Sequence, residues 1–147
     1  MEETKELSIK NFEEIKNIFK EVFTKEPWND DWSDDNQLNE YLLDIMGMRN
    51  PLIYGFYLKQ KLIGISIGYI KHCCGGTEYC IDEFCIKTDE QKKGYGTLFI
   101  NQIEQLLIQK NIHIIYLSTE KNVSAYNFYK KCGFEDLSNI INLFKKF

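Results

Sequence analysis

Residues Asp82 to Thr97 read as a short apolar strand, a charged turn, two closely spaced glycines and the start of a helix. The helix continues downstream, where Phe99, Ile100, Ile103, Leu106 and Leu107 recur at helical spacing. A strand that feeds a glycine-containing loop at a helix N-terminus makes an anion site. The first helical N–H groups lack intrahelical partners, and the helix dipole adds partial positive charge there. Gly94 and Gly96 carry no Cβ, so a ligand can approach the backbone. Lys92 and Lys93 add positive charge beside this cradle.

The loop lacks the Gly-x-Gly-x-x-Gly of dinucleotide folds and the Gly-Lys-Ser/Thr of a P-loop. It reads Gln-x-x-Gly-x-Gly, with Gln91, Gly94 and Gly96. This resembles the acetyl-CoA pyrophosphate loop of the GNAT superfamily of N-acetyltransferases, loosely its aminoglycoside-type members. A second stretch, Asn122-Val123-Ser124-Ala125-Tyr126-Asn127-Phe128-Tyr129-Lys130-Lys131-Cys132-Gly133-Phe134, is similar to the later signature of the same superfamily. It lies one strand downstream of the loop, where that fold places it. The likeness is close over about the last seventy residues; before them only the order of expected elements agrees.

The chain of 147 residues is long enough for one domain, residues 1–147, with a substantial core. Eighteen basic against 22 acidic residues give a net charge of -4, without the basic footprint that broad nucleic-acid binding needs. No apolar run is long enough to span a membrane. The start, Met-Glu-Glu-Thr-Lys-Glu, does not read as a signal peptide, so a cytoplasmic protein is expected. The odd count of five cysteines fits reduced thiols. His72, Cys73, Cys74, Cys80 and Cys85 cluster in sequence without the paired Cys-x-x-Cys knuckles of a structural zinc site, so no metal is expected.

In order, Leu7 to Ile9 suggests a first strand. Asn11 could cap a helix bearing Phe12, Ile15, Ile18, Phe19, Val22 and Phe23 on one stripe. Asp34 could cap a second, with Gln37 completing a capping box and Leu38, Tyr41, Leu42 and Ile45 as its apolar face. Leu52–Leu58 and Leu62–Ile70 read as a hairpin around Lys59-Gln60-Lys61, and Tyr79–Ile86 as the next strand. Ile112–Ser118 is apolar on both faces and reads as a central strand. Gly133 stops a short helix, and Ile140, Ile141, Leu143 and Phe144 suggest a final hairpin. The expected fold class is α+β (mixed α/β): a twisted, mostly antiparallel sheet of about six or seven strands with about four flanking helices.

The resemblance implies that the strand before the loop and the strand after the long helix splay apart, with acetyl-CoA as cosubstrate in the opening. Phe84, Cys85 and Ile86 would then pair their backbone with pantetheine. Gln91, Lys92, Lys93, Gly94, Tyr95, Gly96 and Thr97 would hold the pyrophosphate. Asn122 matches a position that hydrogen-bonds pantetheine, and Tyr126 belongs to the same signature. Tyr129 matches the tyrosine assigned to protonating the departing sulfur. A phenol with an ordinary pKa near 10 can do this at neutral pH.

An amine must lose a proton before it attacks a thioester. The strand Tyr79–Ile86 carries two carboxylates, Asp82 and Glu83, in apolar surroundings where acids need a reason. Strict alternation sends them to opposite faces. Asp82, nine residues before Gln91, matches the acid of several superfamily members; two residues earlier, where others carry it, stands Cys80. Asp82 is therefore the first candidate for base or amine anchor, and Glu83 the second. Either could instead serve a structural ion pair.

The segment Trp28 to Asp35 holds two Trp and four Asp, in a region that in the superfamily often lines the acceptor side. Trp28, Asp31 and Trp32 would suit a cationic amine by charge and cation–π contact. The expected activity is acetyl transfer to a primary amine, of a small aminoglycoside-like or polyamine-like cation, in a ternary complex. A peptide or protein amine, a noncatalytic acyl-CoA sensor and a nucleotide-binding protein are the alternatives. The tail from Asn139 to Phe147 could be an edge strand that pairs two copies into a homodimer.

Overall fold

In the computed structural model, which describes residues 1–147, the apolar stripe of the first helix seats it on a five-stranded sheet. This helix, α1, spans Phe12–Phe23; Ile15, Phe19, Val22 and Phe23 face inward and the charged residues face out. A capping box between Ser8 and Asn11 closes the turn that precedes it, so Asn11's side chain serves that turn and does not cap α1 itself. The second helix, α2 (Asp35–Met46), starts where Asp34 accepts a hydrogen bond from the Gln37 N–H at 3.1 Å. It buries Leu38, Leu42, Ile45 and Met46 beside α1.

The sheet runs in sequence order: β1 (Glu2–Leu7), β2 (Pro51–Leu58), β3 (Lys61–Cys73), β4 (Gly76–Ile86) and β5 (Ile114–Leu117). The first four pair antiparallel and β5 joins β4 in parallel. Lys59 and Gln60 form the β2–β3 turn, both with positive φ, as a tight two-residue hairpin requires. The first strand lies earlier than the sequence suggests, because Ser8 already belongs to the capped turn.

The sheet separates two cores. On one side α1 and α2 cover Ile53, Ile65, Ile67 and Cys85. On the other, α3 (Tyr95–Gln109) lays Phe99, Ile103 and Leu107 on Tyr54, Phe56, Tyr79 and Ile81. Each fully buried residue of this size adds about 2 kcal/mol of hydrophobic free energy, so α3, and the loop that opens it, is held firmly against the sheet. The last helix, α4, spans Ser124–Lys131.

Three further expectations change. Residues 134–147 form no hairpin, so the sheet has five strands, not six or seven. With no strand beyond it, β5 is an edge strand, shorter than expected, and Ile114 is 37% exposed. Its two apolar faces had suggested a central position. Third, β4 does not alternate strictly. Ile67 pairs with Glu83 and Gly68 with Ile81, leaving Asp82 as one extra residue, a β-bulge. The bulge resets the faces: Tyr79 and Ile81 before it, and Ile86 after it, all lie in the α3-side core.

Candidate active site

Two neighbouring strands part company at the bulge. The parallel ladder between β4 and β5 runs from Glu78–Ile114 to Ile81–Leu117 and ends there. Beyond it β4 continues from Asp82 to Ile86, still paired to β3 from Glu83 onward but with no strand on its other side. The extra residue bends and twists β4 at the point where pairing with β5 stops. A slot is left, bordered by Phe84, Cys85 and Ile86, and an extended ligand can add to it as a strand would.

At one end of the slot stands the loop into α3. Gln91 donates from Nε2 to the Ile86 carbonyl at 2.8 Å, tying the loop to the end of β4. Its side chain thereby has a structural task, and the loop's binding capacity lies in its backbone. Lys92 and Gly94 both have positive φ, 63° and 86°. Gly94 is the N-cap of α3, and no side chain caps it. The first helical bond runs from the Leu98 N–H to the Gly94 carbonyl, which leaves the amides of Tyr95, Gly96 and Thr97 without intrahelical acceptors. Space above Gly94 is open: a Cβ there would meet no atom within 4 Å. Gly96 is needed for a different reason, since a Cβ would lie 3.0 Å from the Phe128 ring. Lys92, Lys93 and Thr97 are exposed; Lys93 pairs with Glu90 at 3.2 Å. Tyr95 turns its ring inward, 5.9 Å from Phe56, so its amide alone faces the loop. This open, uncapped helix terminus with flanking lysines fits a diphosphate.

Helix α4 roofs the slot. Phe128 stacks on Phe84 at 6.0 Å, and Tyr129 meets Phe84, Phe128 and Phe134 edge-on. Tyr129 is only 8% exposed, and burial, with Cys85 and Glu83 nearby, raises its pKa and keeps the phenol protonated. Asn122 is exposed ahead of α4 and does not cap it, Val123 being the N-cap. Tyr126 donates to Asp136 at 2.8 Å.

The acids of β4 sit where the strands diverge. Glu83, half-buried on the α1/α2 side, accepts a hydrogen bond from the Tyr41 hydroxyl at 2.5 Å. Burial pushes its carboxyl up to about 7; Tyr41 opposes this, and Asp30 and Asp82 add to it. Asp82 is exposed on the bulge, and partial burial of its carboxyl raises it above the usual range. Trp32 stacks on Tyr41 at 5.3 Å and touches Phe19 edge-on. Trp28 packs on Phe23, and Asp31 accepts from the Ser33 N–H at 3.0 Å, a local turn.

Asp82 and Glu83 thus stand where β4 and β5 part, Glu83 near enough to Tyr129 to add to its shift, with Trp32 behind Tyr41. The structure adds two residues that sequence reasoning missed. Tyr41 looked like one more member of α2's apolar stripe; its hydroxyl was the only sign of a polar partner. Asp30 stood among four equivalent aspartates, and only the fold turns it toward Glu83. No three His, Cys, Asp or Glu side chains come together as a metal would require. No helix is long and apolar enough to cross a membrane.

A mixed sheet that forks beside a glycine-bearing helix entry defines the acyl-CoA N-acyltransferase class. The acetyltransferase (GNAT) family model matches residues 12–134, and the chain belongs to that family. It is an acetyl-CoA-dependent N-acetyltransferase. A sequence search of curated proteins finds no match. Among solved structures, an aminoglycoside acetyltransferase from an uncultured soil metagenomic sample, in complex with sisomicin, is 17% identical at a TM-score of 0.74, covering 99% of this chain and 96% of that one. A predicted acetyltransferase with acetyl-CoA from Clostridium acetobutylicum is 17% identical at 0.73, covering 97% and 96%. A ribosomal-protein-alanine N-acetyltransferase from Brucella melitensis biovar Abortus 2308 is 12% identical at 0.74, covering 100% and 99%. At these identities the likeness concerns the fold.

Proposed function

We propose that the chain acetylates a primary amine of a small cationic molecule, by direct attack in a ternary complex. One observation carries this reading: Glu83 stands beside the fork with its carboxyl bonded to Tyr41, whose ring stacks on Trp32, and Asp30 and Asp82 lie near enough to add to the rise of its pKa. Such an acidic, aromatic approach attracts and orients an ammonium group.

Acetyl-CoA supplies the thioester. The amides of Tyr95, Gly96 and Thr97, with Lys92 and Lys93, hold its diphosphate, and the free edge of Phe84, Cys85 and Ile86 aligns its pantetheine arm; Asn122 and Tyr126 flank that arm from the start of α4. Glu83, with its carboxyl near 7, accepts the amine's proton, directly or through a water, as a base poised at working pH should. Tyr41 orients that carboxylate. Asp82, at the exposed bulge, anchors the incoming cation, and Trp28, Asp31 and Trp32 shape the outer approach. Tyr129 keeps its proton and delivers it to the departing thiolate.

Cationic small-molecule acceptors are known from one neighbour, an aminoglycoside acetyltransferase bound to sisomicin. A ribosomal-protein-alanine acetyltransferase shares the fold as well, so peptide amines belong in the same experiment. Thiol release from acetyl-CoA is measured over aminoglycosides, polyamines and N-terminal alanine peptides. The reading expects release with the small polycations. Release with peptides alone would replace the acceptor class, and tight CoA binding with no release would point to a sensor.

A further inference from the structure

Two buried tyrosines meet edge to edge beneath α3, and one of them is left unsatisfied. Tyr54 and Tyr79 are both 0% exposed, with ring centroids 5.8 Å apart. The Tyr79 hydroxyl lies 2.8 Å from Ser66 Oγ. The Tyr54 hydroxyl is buried and has no hydrogen-bond partner. A buried hydroxyl left unpaired is costly, and phenylalanine would pack the same ring without that cost. A tyrosine at this position therefore implies a group for its hydroxyl to bind.

The surroundings show where such a group would sit. Thr4 and Glu6 lie on one face of β1, and Glu6 stands opposite Tyr54 across the β1–β2 ladder. α3 is clasped to this edge strand at two points. Thr4 Oγ1 donates to Gln102 Oε1 at 2.6 Å, and Lys110 Nζ pairs with Glu6 Oε1 at 2.9 Å. Between the clasps, helix and strand leave an open niche of about 400 Å³, bounded by Thr4, Glu6, Tyr54, Leu106, Gln109 and Lys110. Tyr54 forms its floor; burial, with Glu6 nearby, raises the pKa of the phenol and keeps it protonated. Leu106 supplies an apolar wall and Gln109 an amide. Glu6 and Lys110 face each other at the mouth, their side chains 53% and 41% exposed, and an ion pair so exposed opens at little cost.

We propose that this niche binds a free α-amino acid whose side chain ends in a hydroxyl or an amide. Its ammonium takes Glu6, its carboxylate takes Lys110, its methylene lies on Leu106, and the end of its side chain reaches the Tyr54 hydroxyl. A zwitterion replaces both halves of the opened ion pair, whereas an amine or a carboxylate alone leaves one charge unmatched. The niche lies at the β1 edge of the sheet, away from the fork between β4 and β5, so it is distinct from the transfer site and independent of the acceptor.

Amide 15N–1H spectra of the full chain are recorded during titration, to millimolar concentration, with L-serine, L-threonine, L-asparagine and L-glutamine, and with L-leucine and ammonium acetate as controls. Saturable shifts are expected at Thr4, Glu6, Tyr54, Gln109 and Lys110 with at least one of the four polar amino acids, and none at Lys92 to Thr97. Tyr54→Phe should keep the fold and bind that amino acid about tenfold more weakly, the loss of one hydrogen bond. Without any amino acid present the same variant should melt no lower than the parent, since its hydroxyl has no partner to lose. The double variant Glu6→Gln with Lys110→Gln should abolish the shifts. No saturable shift with any of the four, equally tight binding of leucine or ammonium acetate, undiminished binding by Tyr54→Phe, or a clearly lower melting temperature of that variant without ligand would each overturn the site.

Discussion

The hydroxyl of Tyr41 on α2 lies 2.5 Å from Glu83 Oε1 on β4, and this bond fixes the carboxylate that burial has raised to about 7. As a base, Glu83 acts only when ionised. The kcat/KM for the amine should therefore fall on the acid side of about pH 7, with a limb that Glu83→Gln abolishes. Tyr41 stabilises the ionised form, so Tyr41→Phe should move the same limb to higher pH. It should also lower the rate at pH 7 roughly three- to tenfold, in proportion to the lost carboxylate fraction. A limb that stays in place in Tyr41→Phe would separate Glu83 from proton transfer.

The same raised carboxyl makes stability depend on pH. Its ordinary pKa of 4.5 in the unfolded chain lies below the folded value of about 7. The folded state therefore binds the proton more tightly. Stability from this group is full below about pH 4.5 and is lost as pH rises through about 7. Asp82, raised in the same direction by burial, adds to the slope. Glu83→Gln stays neutral and should remove this group's pH-dependent stability, on the order of 3 kcal/mol between those limits, leaving a flatter melting temperature. Thermal melts of both proteins across pH 4 to 8 check this.

Tyr129 is enclosed by Phe84, Phe128 and Phe134, so a phenylalanine in its place keeps the packing. Tyr129→Phe should leave the melting temperature within about a degree or two and CoA affinity unchanged, while turnover falls on the order of a hundredfold. Calorimetry with CoA and steady-state kinetics separate the two effects. Equal losses in affinity and turnover would make the residue structural.

Gly94 holds a left-handed backbone at φ 86° above open space. Gly94→Ala should cost about 1 kcal/mol of stability through strain alone. It should also weaken acetyl-CoA binding, because the cradle must shift to relieve it. Gly96→Ala acts differently, pressing its methyl on Phe128 and displacing α4. It should lower turnover through Tyr129 as well as affinity. Calorimetric titration with CoA beside the kinetics tells these apart.

Much of this site could be read before any coordinates. Gly94 and Gly96 stand at fixed offsets from Gln91, and Phe128-Tyr129 sits five residues before Gly133-Phe134; spacing of this kind survives in a sequence because the backbone chemistry demands it. The bulge at Asp82 could not be read, since one unpaired residue in an apolar strand changes neither composition nor propensity. It nonetheless decides that Ile81 and Phe84 lie on the same side of the sheet and that Glu83 faces Tyr41. Residues 140–147 have the composition of a strand, and strand propensity promised a hairpin there. Strand character describes a segment that wants a partner and says nothing of where the partner is.

The central claim is that exposed main-chain amides at the start of α3 grip the diphosphate of acetyl-CoA while β4 offers its free edge to the pantetheine arm. Hydrogen–deuterium exchange of the full chain, with and without saturating acetyl-CoA, tests it most directly. Slowed exchange is predicted in peptides covering Glu83–Ile86 and Lys92–Thr97, with β1 and β2 unchanged. Saturation by acetyl-CoA without protection in either segment would contradict the claim.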